Sequence, residues 1–191
     1  MASTPNNTAN VSTGKGVAGG YFFLAPLGTT LPTDNSTPLD AAFLNMGFLG
    51  EDGVSFSDSS DATNFFDLNG DTVDVSNGSI EKTFTVTFIE IKKDSLAVLR
   101  GSANVTDNTG LITAYDKGFN DTEYVGCLEL LLKNGRKWRR VVPQCKTGEL
   151  GDMTITYSEL VGRETTFNVI KDPTTGSYYI DYIDSTETEA A

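Results

Sequence analysis

Residues 80–91 read IEKTFTVTFIEI. Phe84, Val86 and Phe88 fall on one face of this stretch, and Thr83, Thr85 and Thr87 fall on the other. Such period-2 alternation belongs to a strand buried on one side and wet on the other. Moving outward, segments 17–25, 47–56, 124–133, 136–144, 153–160, 165–171 and 177–183 share its enrichment in aromatic and β-branched residues and read as further strands. Only two short helices are expected. In TPLDAAFLN (37–45), Thr37 suits an N-cap, Pro38 the first helical position and Asp40 the positive end of the helix dipole. In DSLAVLRG (94–101), Asp94 suits the cap, Leu96 and Leu99 share a face, and Gly101 can end the helix.

The sharpest local signal is Lys133-Asn134-Gly135-Arg136. Asn-Gly favours a type I′ turn with a two-residue loop. Position 133 then pairs with 136, which sets Glu129 against Arg140, Leu131 against Trp138, and Leu128 against Val141. Cys127 faces Val142, and Cys145 lies on the opposite face of the sheet, unless Pro143 introduces a bulge. The two cysteines are therefore expected as free thiols in a reducing compartment.

The chain has 191 residues, suited to one domain, and apolar residues make up 38% of it. Residues 17–184 read as that domain, residues 1–16 as a flexible polar arm, and residues 185–191 as a short acidic tail. The N-terminal MASTPNNTANVSTGKG has no apolar run of the kind a signal peptide carries, and no segment reaches transmembrane length.

Net charge is −12 and unevenly spread. Between Gly16 and Glu81 there are ten acids and no Lys or Arg, whereas five of the 14 basic residues sit between Lys133 and Arg140. An acidic excess opposes general nucleic-acid binding, which is driven by Lys and Arg. Residues 57–79 (SDSSDATNFFDLNGDTVDVSNGS) form a long, weakly patterned acidic stretch. It reads as a surface loop or acidic hairpin, or as an arm that docks on a neighbouring subunit, since Phe65 and Phe66 have no purpose on a loop touching nothing. Asp58, Asp61, Phe65, Phe66 and Asp67 are its candidate contact residues. Lys133, Arg136, Lys137, Arg139 and Arg140, with Trp138 interleaved, are the basic candidates. They could contact nucleic acid, sit solvated or acid-paired at a hairpin tip, or meet the acidic 51–81 region of another copy head to tail.

No catalytic set stands out. The chain has no histidine, which removes Ser-His-Asp and Cys-His catalysis and His-ligated zinc. Gly14-Lys15-Gly16-Val17-Ala18-Gly19 matches G-x-G-x-x-G but precedes a strand-like run instead of following one. Asp67-Leu68-Asn69-Gly70-Asp71 opens like a calcium loop, yet Thr72 and Gly78 stand where Gly and Glu are needed. No metal or cofactor is expected, and the chain does not read as an enzyme.

The order of several motifs carries a family resemblance. VSTGKGVAGGYFFLAPLGTTLPTDNSTPLDAAFLNMGFLGEDGVSFSDSSD (11–61) runs from a glycine-rich arm into a strand ending Ala25-Pro26-Leu27-Gly28-Thr29. A Leu-Pro-Thr-Asp turn follows, then Leu39-Asp40-Ala41-Ala42-Phe43, then Gly47-Phe48-Leu49-Gly50-Glu51-Asp52-Gly53-Val54. Gly70-Asp71-Thr72-Val73 and the Phe84–Glu90 strand follow. This order resembles the major tail tube proteins of long, non-contractile-tailed (siphovirus-type) bacteriophages over most of the first 105 residues. The resemblance implies a mainly β fold, a β-sandwich or partly closed barrel with one or two short flanking helices. It implies a virion protein, made in the host bacterial cytoplasm, whose hexameric rings stack into the conduit for DNA. It further implies tail tip and tail terminator proteins as partners. The lumen would hold a tape measure protein and then transiting DNA, without sequence-specific binding and with no membrane involved. Arm and long-loop roles fall to residues 1–16 and 57–79 by position. Two rivals stay open: another virion or injection-tube component, and a carbohydrate-binding β-sandwich with Trp138, Tyr178, Tyr179 and Tyr182 as its platform.

Overall fold

The alternating stretch 80–88 is buried as its pattern requires: Phe84, Val86 and Phe88 are buried and the threonines between them half-buried. A computed structural model describes residues 6–153 and 155–185 of the chain. The strands are β1 (Gly14–Gly16), β2 (Phe22–Pro26), β3 (Leu44–Asn45), β4 (Leu49–Phe66) and β5 (Thr72–Phe88). After helix α1 (Lys93–Arg100) come β6 (Val105–Asn108), β7 (Leu111–Ala114), β8 (Glu123–Leu132), β9 (Lys137–Leu150), β10 (Arg163–Val169) and β11 (Ile180–Ile183). One nine-stranded antiparallel sheet runs in the order β3-β2-β8-β9-β10-β5-β4, with β1 also pairing β8 and β11 also pairing β9. β6 and β7 form a separate ribbon. The architecture is mainly β with one α-helix, and the sheets do not close into a barrel.

Both faces of the sheet carry apolar cores. One encloses Phe22, Leu24, Phe84, Val86, Phe88 and Phe167, and α1 caps it with Val98 and Leu99. At its centre Phe84 and Phe167 stack, with centroids 4.7 Å apart and ring planes within 8°. They are direct cross-strand partners, the geometry in which aromatic pairs on a sheet gain most. The opposite face gathers Ala25, Phe43, Val125, Cys127 and Val141 under a strap contributed by Leu31, Leu39 and Ala42, with Ile180 and Tyr182 beside it.

The β8–β9 hairpin exists, but its register differs by one residue. Lys133–Gly135 form a three-residue 3₁₀ turn, with Gly135 at φ 80°. The Leu132 N–H donates to the Arg136 carbonyl across it at 2.7 Å. Glu129 therefore pairs with Arg139, Leu128 with Arg140, and Cys127 with Val141. Further along, Val125 faces both Pro143 and Gln144, since Gly126 pairs Val142 and Tyr124 pairs Cys145. Proline cannot donate to a ladder, so a bulge is where it belongs. Cys145 consequently points into the first core and Cys127 into the second, both as free thiols.

Other expectations are corrected. Residues 37–45 form no helix. Asp34 accepts the N–H groups of Ser36 and Thr37, and Asp40 accepts that of Ala42, so side-chain turns take the amides a helix would need. Among the described residues of 153–160 no strand forms, contrary to expectation. Helix α1 is preceded by Lys92, not capped by Asp94, and the Ser95 hydroxyl closes its first turn on the Lys92 N–H. Of the readings open for residues 57–79, the structure has the acidic hairpin and not the surface loop. These residues are the distal part of the β4–β5 hairpin, where Ser60 pairs Ile80, Ala62 pairs Asn77, and Phe65 pairs Asp74. A bulge sets Asp61 against Gly78 and Ser79, and a Cβ at Gly78 would lie 2.6 Å from the Asp61 carbonyl. Of the N-terminal arm, residues 14–16 are a strand on the β8 edge, and residues 1–5 lie outside the described residues; so do residues 186–191 of the acidic tail.

The stacked pair gives the first prediction. Phe84→Ala removes a fully buried ring that its neighbours cannot replace. It should cost about 3–5 kcal/mol, read from the urea unfolding midpoint.

Candidate subunit interface

The distal β4–β5 hairpin leaves the body of the protein behind. β5 pairs with β10 only from Lys82 to Phe88, so residues 72–81 bond to β4 alone. From residue 57 to 81 the hairpin carries six acids and no base. Asp58 is spoken for: its carboxylate meets Lys82 Nζ at 2.5 Å. Asp67 builds the tip turn, accepting the N–H groups of Asn69 and Asp71, and these bonds, that from Asp71 foremost, lower its pKa. Asp61, Asp71, Asp74 and Glu81 remain exposed. So do Phe65, Phe66, Val73, Val75 and Ile80, and Leu68 at the apex is fully exposed. An acidic arm that also displays this many apolar side chains is a contact surface by composition.

Where the arm leaves the body, cations and rings hold it. Lys82 lies 5.6 Å and 5.5 Å from the Tyr178 and Tyr179 ring centroids. Arg140 sits over Phe56, Trp138 and Tyr179 at 4.6, 5.0 and 5.3 Å, while both its Nε and an Nη reach Asp181. A guanidinium stacked on aromatics and bound bidentately is a fixed element, not a free charge. Trp138, Tyr178 and Tyr179 thus gather around cations of this chain, and Tyr182 packs on the other core, so the four aromatics do not form one open platform.

The basic candidates divide in two. Arg139 is buried, pairs with Glu129, and donates to the carbonyls of Asp34 and Thr37, which ties the strap to the sheet. Arg140 serves the clamp just described, and Arg136 Nε donates to the Asp184 carbonyl at 2.9 Å. Lys133 and Lys137 are exposed. Lys15, which motif reading set aside, joins them: Lys15 pairs Leu131, and Leu131 pairs Lys137, so the three share one row and one face. The usable basic patch is therefore Lys15, Lys133 and Lys137. Followed through β10, the Lys137 end of β9 and the Thr72 end of β5 point the same way along the sheet. Acidic arm and basic patch therefore project in the same direction along the sheet.

Among the described residues, no three acidic or cysteine side chains gather as a metal ion requires, and no helix is long and apolar enough to cross a membrane.

Two predictions follow from the pairing. Arg139→Ala leaves Glu129 half-buried without its partner and should cost about 3 kcal/mol in urea unfolding, whereas Lys133→Ala should change the stability by less than about 0.5 kcal/mol. The Asp184 carboxyl accepts the Lys137 N–H at 2.7 Å and the Asn35 amide at 2.6 Å, which lowers its pKa. A lowered folded-state pKa stabilises above the unfolded value, near 4, and that stabilisation fades as pH falls through the folded one. The wild type should thus lose more of its urea midpoint than Asp184→Asn between about pH 4 and pH 2.

No curated protein matches the chain in sequence. Among solved structures it is similar to a chain of the sheath-tube complex of an extracellular contractile injection system (PVC) in its extended state. The identity is 11% and the TM-score 0.41, over 86% of this chain and 90% of that one. A family model described as phage tail tube protein matches residues 4–190. With that match spanning nearly all of its length, this chain belongs to the phage tail tube protein family.

Proposed function

We propose that copies of this chain close into rings, hexameric as in the siphovirus-type proteins it resembles, and that the rings stack into the hollow tail tube through which phage DNA passes into the host. One observation carries the reading: the distal β4–β5 hairpin is a long, ordered, acidic and apolar arm that the isolated chain does not use. The outer edge of β4 and the distal edge of β5 are unpaired over most of their length. Such edges are a liability in a monomer, and association with a neighbour removes the liability. In a ring, the arm of one copy lies at the level of the next copy's Lys15, Lys133 and Lys137, so the sign complementarity acts sideways.

The acidic balance suits the conduit. Phosphates passing an acidic wall are repelled rather than held, and at physiological salt that repulsion reaches about 8 Å. DNA therefore slides without sequence-specific contacts. A tape measure protein fills the lumen beforehand, and tail tip and tail terminator proteins cover the two ends. No catalytic step belongs to this function.

Negative-stain electron microscopy at rising concentration tests the reading, with hollow tubes or holed rings as the expected result. A variant whose hairpin is cut back, with Ser59 joined to Glu81 through Asn-Gly, should fold as a monomer and form neither. Normal tubes from that variant would overturn the arm's role. Monomers alone from the wild type, with salt added to screen the net charge, would count against the tube itself.

A further inference from the structure

Beside α1 a groove of about 180 Å³ opens at the far end of β5 from the hairpin tip. Phe88, Leu96, Leu99 and Met153 line it, and Arg100 and Arg163 stand at its rim. Asp116 answers both arginines, pairing with Arg100 and lying in the field of Arg163, and the rim's Glu90 is matched by Lys92. With Lys92 counted beside the two arginines, the rim exceeds Asp116 and Glu90 by one positive charge, and Arg163 Nε is held on the Gly151 carbonyl at 3.2 Å. The groove is smaller than the roughly 300 Å³ at which small-molecule sites begin. It has room for one or two aliphatic side chains. Its one hydroxyl, on Ser95, is already bonded to the Glu90 carbonyl.

The hairpin tip has the complementary form. Leu68 projects fully exposed from the turn, with Phe66 exposed beside it, and Asp71 and Asp74 surround them without a base. Tip and groove cannot meet within one molecule. They are separated by the length of β5, Thr72 to Phe88, roughly 50 Å of extended chain. Complementary surfaces at opposite ends of a rigid element make a heterologous contact, which repeats from copy to copy.

We infer that the α1 groove is the seat for the hairpin tip of a second copy in the next ring, with Leu68 entering the apolar floor and Asp71 and Asp74 meeting the arginine rim. The inference rests on the tube reading and names the surface that receives the arm. Side-by-side and end-to-end contacts then use different parts of the arm, its flank and its tip.

Paired cysteines test it, because the native Cys127 and Cys145 are fully buried and give no background. Leu68→Cys is combined with Ile91→Cys, whose parent side chain is exposed at the groove, and the protein is oxidised mildly after assembly. Disulfide-linked ladders longer than dimers are expected, and Leu68→Cys alone should give dimers at most. Particles that form without a ladder overturn the groove assignment and leave the tube standing. A ladder without particles supports the groove and sinks the tube. Neither ladder nor particles at high concentration overturns both.

Discussion

One strand has to satisfy two opposite environments. At its C-terminal end β5 contributes Phe84, Val86 and Phe88 to the core; at its N-terminal end it runs through water with only β4 beside it. The boundary falls at Lys82, and chemistry suited to a boundary is found there. The ammonium pairs with Asp58 and lies over two tyrosine rings, while Arg140 bridges Phe56 and Tyr179 to Asp181. Cation–aromatic contacts tolerate partial solvation, which an apolar seam would not. The arm's direction is set by this collar, because no other strand supports it.

The same economy governs the opposite face. The strap between β2 and β3 has little regular structure, and what holds it is Arg139 with its carbonyl contacts and the apolar side chains beneath. Asp34 is locked in turn by the Thr37 hydroxyl and amide, which keep its carboxyl far below the ordinary range. A buried guanidinium here is part of the scaffold. Reading it as a docking charge mistook a cross-chain tie for a surface feature.

Some of this was legible beforehand. Alternation in residues 80–91 and the turn after Leu132 declared a buried strand and a hairpin, because both signals are local. What escaped depended on partners far away in sequence. Asp181 claims Arg140 from 41 positions off, and Asp34 claims Arg139 from 105. The composition of 153–160 suggested a strand, but none forms among its described residues. The cysteines are the instructive case. Their opposite-face placement was expected from a two-residue turn; in fact a three-residue turn shifts the register by one, and the Pro143–Gln144 bulge shifts it back. The outcome agreed while each step differed. The arm was weakly legible because a strand solvated on both faces has no hydrophobic alternation to show.

The sheet order also imposes a timetable. The β4–β5 hairpin is local and can form as soon as residue 88 has been made. β2, however, waits for β8, about 100 residues further along, and β5 waits for β10, about 80 residues further along. At ordinary rates of synthesis this leaves several seconds during which an apolar, acidic hairpin is already shaped and its own sheet is unfinished. Like charge between nascent arms keeps them apart during that interval. The acidity of the arm thus bears on the newborn chain as well as on the folded one.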